Sequence, residues 1–126
     1  MMPTDKNIEP TIKNGHASAP PKAAKKILDV ARDLFYRQGI RAIGVDEIVR
    51  RAGVTKPSLY RSFPSKDELA ASYLRQYDLE FWDRFDEAVN AHPGDPRAQI
   101  KAFLTRVGKR TQMPQYRGCG MTNAAV

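Results

Sequence analysis

Between Gly53 and Pro64 the chain carries Lys56, Ser58, Tyr60 and Arg61, two cations and two hydroxyls on a stretch bounded by helix-breaking residues. Gly53 suits the left-handed residue that closes a helix, and the Thr55 hydroxyl can accept from the free N–H groups that begin the next one. That next helix, about Lys56 to Ser62, has roughly two turns and stops at Phe63-Pro64, because proline disfavours helix at the residue before it. Hydrogen-bond donors on a short helix with one polar side suit entry into a groove; they are not a catalytic set. His16 lies in a polar terminal stretch and His92 in a turn, and there is no Gly-rich phosphate loop, no H-E-x-x-H and no Cys/His cluster with metal spacing. Neither enzymatic activity nor a cofactor or metal is expected.

So short a helix needs neighbours to hold it, through Val54, Leu59 and Phe63. The preceding helix opens near Gly44 with Asp46 and Glu47 in its first turn, where negative charge suits the helix dipole, and buries Val45, Ile48, Val49 and Ala52 before closing with Arg50 and Arg51. Ahead of it, Ile27, Val30, Ala31, Leu34 and Phe35 recur at helical spacing and predict a helix ended by Gly39. After Pro64, Ser65 and Glu68 form the S-x-x-E capping signature of a long helix reaching about Asn90. Its stripe is Leu69, Tyr73, Tyr77, Phe81 and Phe85, widened by Leu74 and Trp82. AHPGDP over 91–96 is a turn, a helix over roughly 96–111 offers Ile100, Phe103, Leu104 and Val107, and CGMTNAAV opens another. Residues 1–21 carry too few apolar side chains to offset the entropy of ordering and read as a disordered arm. The expected class is all-α: a three-helix helix-turn-helix unit joined by the long fourth helix to a partial helical domain.

The net charge of +7 is uneven. Residues 1–64 hold 12 Lys/Arg against 6 Asp/Glu, and residues 65–126 hold 9 against 8, so the basic excess lies with the helix-turn-helix. That suits a polyanion-binding element, as it also suits a membrane-surface segment or a solvated tail. A single cysteine, Cys119, excludes an intrachain disulfide; no apolar run is long enough to span a membrane, and the start has no hydrophobic signal region. A cytoplasmic location is expected.

LDVARDLFYRQGI, VDEIVRRAGVTKPSLYRSF and PSKDEL follow one another in the order and spacing of a known DNA-binding domain. Over residues 22–75 the chain resembles the TetR family of bacterial transcriptional regulators, with Gly39, Ile48, Ala52-Gly53-Val54, Leu59-Tyr60, Phe63, Lys66 and Leu69 on its signature positions. The likeness implies domains at 22–68, for DNA, and 69–126, the start of a ligand-sensing and dimerisation domain that stops before its later helices. It implies that the third helix enters a major groove of double-stranded DNA, with Thr55, Tyr60 and Lys66 on phosphate and Lys56, Pro57, Ser58 and Arg61 at base edges. It further implies a dimeric repressor on an inverted repeat, released when a small-molecule effector moves the fourth helix; Phe81, Trp82, Phe85, Phe103 and Met113 are the candidate effector lining. Members often carry Thr and then Ser or Thr where this chain has Ile43 and Gly44, which removes a capping hydroxyl that touches phosphate. Two other readings stay open: a helical protein-interaction module using the aromatic surface of 73–104, and a truncated regulator without specific DNA binding. Steep loss of binding with salt would separate DNA contact from apolar docking.

Overall fold

The computed structural model describes residues 21–126. The apolar spacing is realised there as α1 (Pro21–Gln38), α2 (Val45–Ala52), α3 (Lys56–Ser62), α4 (Lys66–Asn90), α5 (Pro96–Thr111) and α6 (Gly120–Ala124). No strand occurs among the described residues, so the all-α reading holds. The arm read over residues 1–21 lies, up to residue 20, outside the described residues.

One apolar core joins the first four helices. Ile27, Ala31, Leu34 and Phe35 of α1 meet Ile48 and Ala52 of α2, Leu59 of α3, and Leu69, Ala70, Tyr73 and Tyr77 of α4. Ile43, between α1 and α2, is fully buried in the same cluster. A hydroxyl there would lie in the core, so isoleucine at this position is a packing residue. Val30, Val45, Val49, Val54 and Phe63 pack on the cluster and remain partly exposed, because α1 to α3 form one layer whose outer side meets solvent.

Local capping agrees with the sequence. Gly53 takes φ 67° and ψ 33°, its N–H donates to the Arg50 carbonyl at 3.3 Å, and the Val54 N–H donates to that of Val49 at 3.1 Å. This closes α2 and turns the chain directly into α3. The Ser65 hydroxyl accepts from the Glu68 N–H at 3.1 Å and starts α4. Leu59 is the one fully buried side chain of α3. Leu59→Ala would therefore cost about 2–5 kcal/mol and loosen the helix as a whole.

The later turns of α4 run beyond this core and pack on α5 through aromatic rings. Phe81 and Phe85 lie 5.8 Å and 5.3 Å from Phe103, and Trp82 lies 5.5 Å from Phe85, all edge to face. Arg106 donates to Glu87 at 2.7 Å across the same pair. α6 then returns to the first core. Gly120 is buried against Tyr73 and Tyr77, and the Tyr36 hydroxyl of α1 donates to the Gly118 carbonyl at 3.0 Å while accepting from the Arg117 N–H at 2.8 Å. A two-pronged ion pair between Arg32 and Glu80 adds a second tie from α1 to α4.

Candidate nucleic-acid interface

The α2–turn–α3 unit sets the candidate residues on the outer side of the bundle. Thr55 caps α3 by accepting from the Ser58 N–H at 3.3 Å, so its hydroxyl already has a structural partner. Proline at position 57 fits the first turn of α3, where the missing N–H costs nothing. With Leu59 turned inward, Thr55, Lys56, Pro57, Tyr60 and Arg61 are exposed and Ser58 is half-buried. Tyr60 is 44% exposed, so its ring is not part of the core.

The cations differ in their surroundings. Lys56 Nζ lies 2.7 Å from Asp46 Oδ1 in the first turn of α2, and this hydrogen-bonded pair raises the lysine's pKa above its ordinary value. Arg61 and Lys66 make no ion pair within 4.0 Å among the described residues. Glu47, beside Asp46, turns back along α2 to Arg51 at 3.2 Å and Arg50 at 4.0 Å. The two acids of that first turn are thus divided, one stabilising its own helix and one reaching across the turn to α3. Their position in the first turn predicts a helix-dipole role for each; only the backbone turn brings Asp46 to Lys56.

The candidate effector residues separate into two places. Phe81, Trp82, Phe85 and Phe103 form the ring cluster between α4 and α5, with Phe81, Phe85 and Phe103 half-buried and Trp82 42% exposed. Met113 stands apart from them. It lines a half-open cavity of about 480 Å³ with Arg32 and Tyr36 of α1, Tyr73 and Tyr77 of α4, and Tyr116 of the segment after α5. No helix among the described residues is long and apolar enough to cross a membrane.

An exposed short helix, closed off by a left-handed glycine turn and fastened to a three-helix core through one leucine, defines a helix-turn-helix protein. A family model described as bacterial regulatory proteins, tetR family, matches residues 27–73. The HTH-type transcriptional regulator AcrR of Shigella flexneri is 33% identical over 98 residues, 72% of this chain and 42% of AcrR. The HTH-type transcriptional repressor KstR2 of Rhodococcus jostii is 35% identical over 80 residues, 64% of this chain and 39% of KstR2. The crystal structure of a TetR-family transcriptional regulator from Streptomyces coelicolor is similar over 82% of this chain and 55% of its own, with a TM-score of 0.79 and 32% identity. Residues 27–73 thus match the TetR family, and the chain is similar to TetR-family regulators over most of its described length. It spans about two fifths of the length of the two curated relatives.

Proposed function

We propose that the chain is a sequence-specific, DNA-binding transcriptional regulator that acts as a repressor on an inverted-repeat operator as a dimer. The carrying observation is the exposed polar face of α3 on a rigid core, within the half of the chain that holds most of the basic excess. Base reading falls to Lys56, Pro57, Ser58 and Arg61, and backbone contact to Thr55, Tyr60 and Lys66. Lysine and arginine favour guanine, and Pro57 offers apolar contact to a thymine methyl. Lys66 stands in the first turn of the 25-residue α4, where the helix dipole also favours an anion. Repression is supported by the description of KstR2 as a transcriptional repressor and by its economy, since occupancy of the operator is sufficient. A small-molecule effector acting through α4, with Phe81, Trp82, Phe85, Phe103 and Met113 as its candidate contacts, completes the reading, and the setting is the cytoplasm.

Leu79, Ile100 and Leu104 are each about 60% exposed, which favours protein docking as the second reading. Selection of bound sequences from a random double-stranded pool, at low and moderate salt, tests both. An enriched palindrome supports the dimeric regulator. A single enriched half-site supports base reading and removes the dimer. Absence of binding at low salt overturns the DNA reading and leaves the docking one.

A further inference from the structure

Among the candidate base-reading side chains, Lys56 is the cation held by another residue of the chain. Its ammonium is 2.7 Å from Asp46, which is itself 83% exposed and sits in the first turn of α2. Asp46 stands in the first turn of α2, where its charge already suits the helix dipole without Lys56 as a partner. The pair also joins the two elements that flank the turn, so it fixes where the Lys56 charge lies relative to α3.

We propose that Asp46 is a specificity-determining residue that acts by positioning Lys56. This rests on the DNA-binding reading above. A lysine is a point charge on a flexible four-carbon stem with three N–H donors. Untethered, it follows phosphate on any sequence. Tethered, it spends one donor on Asp46 and keeps two for a base edge near the start of α3, where the N-terminal residues of a recognition helix meet bases. Asp46 thereby withdraws one cation from sequence-independent binding while leaving it in place for the selected site. The raised pKa of Lys56 agrees with a charge that stays on the lysine throughout.

The test uses the 126-residue chain as wild type, Asp46→Asn, Lys56→Ala and the double variant, each titrated onto a random-sequence duplex and onto the duplex recovered by selection, over a salt series. Thermal melts of all four check folding. Asp46→Asn should bind the random duplex about two- to fivefold more tightly and steepen its salt dependence by about 0.9 in the log–log slope, the signature of one more phosphate engaged. Its affinity for the selected duplex should stay level or fall, so discrimination drops. In the Lys56→Ala background the same substitution should lose most of this effect. An equal gain with Lys56 present or absent would overturn the proposal, because Asp46 would then only repel phosphate. An equal gain on both duplexes would overturn it too, since the pair would then tune affinity alone. If wild type binds neither duplex, the DNA reading itself falls, an outcome separate from the other two.

Discussion

The Tyr36 hydroxyl and the Gly118 carbonyl, 82 positions apart in the chain, meet at 3.0 Å. The same hydroxyl accepts from the Arg117 N–H at 2.8 Å, so one side chain of α1 clasps the segment that leads into α6. Tyr36→Phe keeps the ring and removes both bonds. It should lower unfolding stability by about 1 kcal/mol, since each partly exposed bond contributes modestly, and should speed amide exchange at Arg117. Denaturant melts and hydrogen exchange indistinguishable from wild type would show that the clasp contributes nothing.

Two glycines predict opposite signs. A Cβ on Gly120 would stand 2.7 Å from a Tyr77 ring carbon and 2.9 Å from the Tyr73 hydroxyl, both on buried rings, whereas a Cβ on Gly108 of α5 meets nothing within 4 Å. Gly120→Ala should destabilise by about 1–3 kcal/mol through overpacking. Gly108→Ala should stabilise by about 0.5–1 kcal/mol, because alanine restricts the unfolded chain and favours helix. Thermal melts decide both.

The Arg32–Glu80 pair predicts an acid dependence. Hydrogen bonding to the Arg32 guanidinium is the largest cause holding the Glu80 carboxyl below its ordinary value. A lowered folded pKa means stability that is complete above the ordinary carboxylate range and is lost as pH falls through the folded value. Both side chains are about one third exposed, so solvent screens the pair and its worth is about 1 kcal/mol. Glu80→Gln should therefore destabilise at neutral pH and converge with wild type in acid. Parallel stability–pH curves would contradict this.

Tyr73 predicts an alkaline one. Burial is the main cause that pushes its phenol from the ordinary 10.0 to about 12. Because an acid with a raised folded pKa resists ionisation in the native state, the stability it supports is present below pH 10 and lost as pH rises through about 12. Ultraviolet titration of the protein's 5 tyrosines should show one that ionises late, and Tyr73→Phe should remove it. Loss of a different tyrosine's step would reassign the shift.

On DNA, Arg61→Ala should relax preference at one base position and cost about 1–3 kcal/mol of discrimination. Lys66→Ala should weaken all sequences alike and flatten the salt slope by about 0.9. Competition binding against single-base variants of the selected site checks the pair. Reversed behaviour would exchange the two roles.

The helices and their caps were legible because their causes are local. Ile27, Ala31, Leu34 and Phe35 declare one face by spacing, Gly53 and Ser65 declare an end and a start, and α2 to α5 begin and end within a residue of the expected positions. What escaped the sequence depends on return through space. Lys56 was readable as a groove residue and Asp46 as a dipole residue, but their pairing exists only once the Gly53 turn is made. Gly120 looked like the beginning of a helix, while its crowding comes from Tyr73 and Tyr77 on another one. Ile43 looked like a missing hydroxyl and is a core residue. Met113 shares the apolar character of the four rings, yet α5 ends at Thr111 and the chain beyond it carries Met113 to the cavity beside Tyr36.

The 25 residues of α4 make a rod about 37 Å long, with its first turns fastened into the core beneath α3 by Leu69, Ala70 and Tyr73. A rod so fixed converts angle into displacement. A tilt of about 10° about its midpoint carries the near end through about 3 Å, close to the 3.4 Å step between stacked base pairs. A tilt at the Phe81–Phe103 contact therefore moves Leu69, and the core that carries α3, along with it.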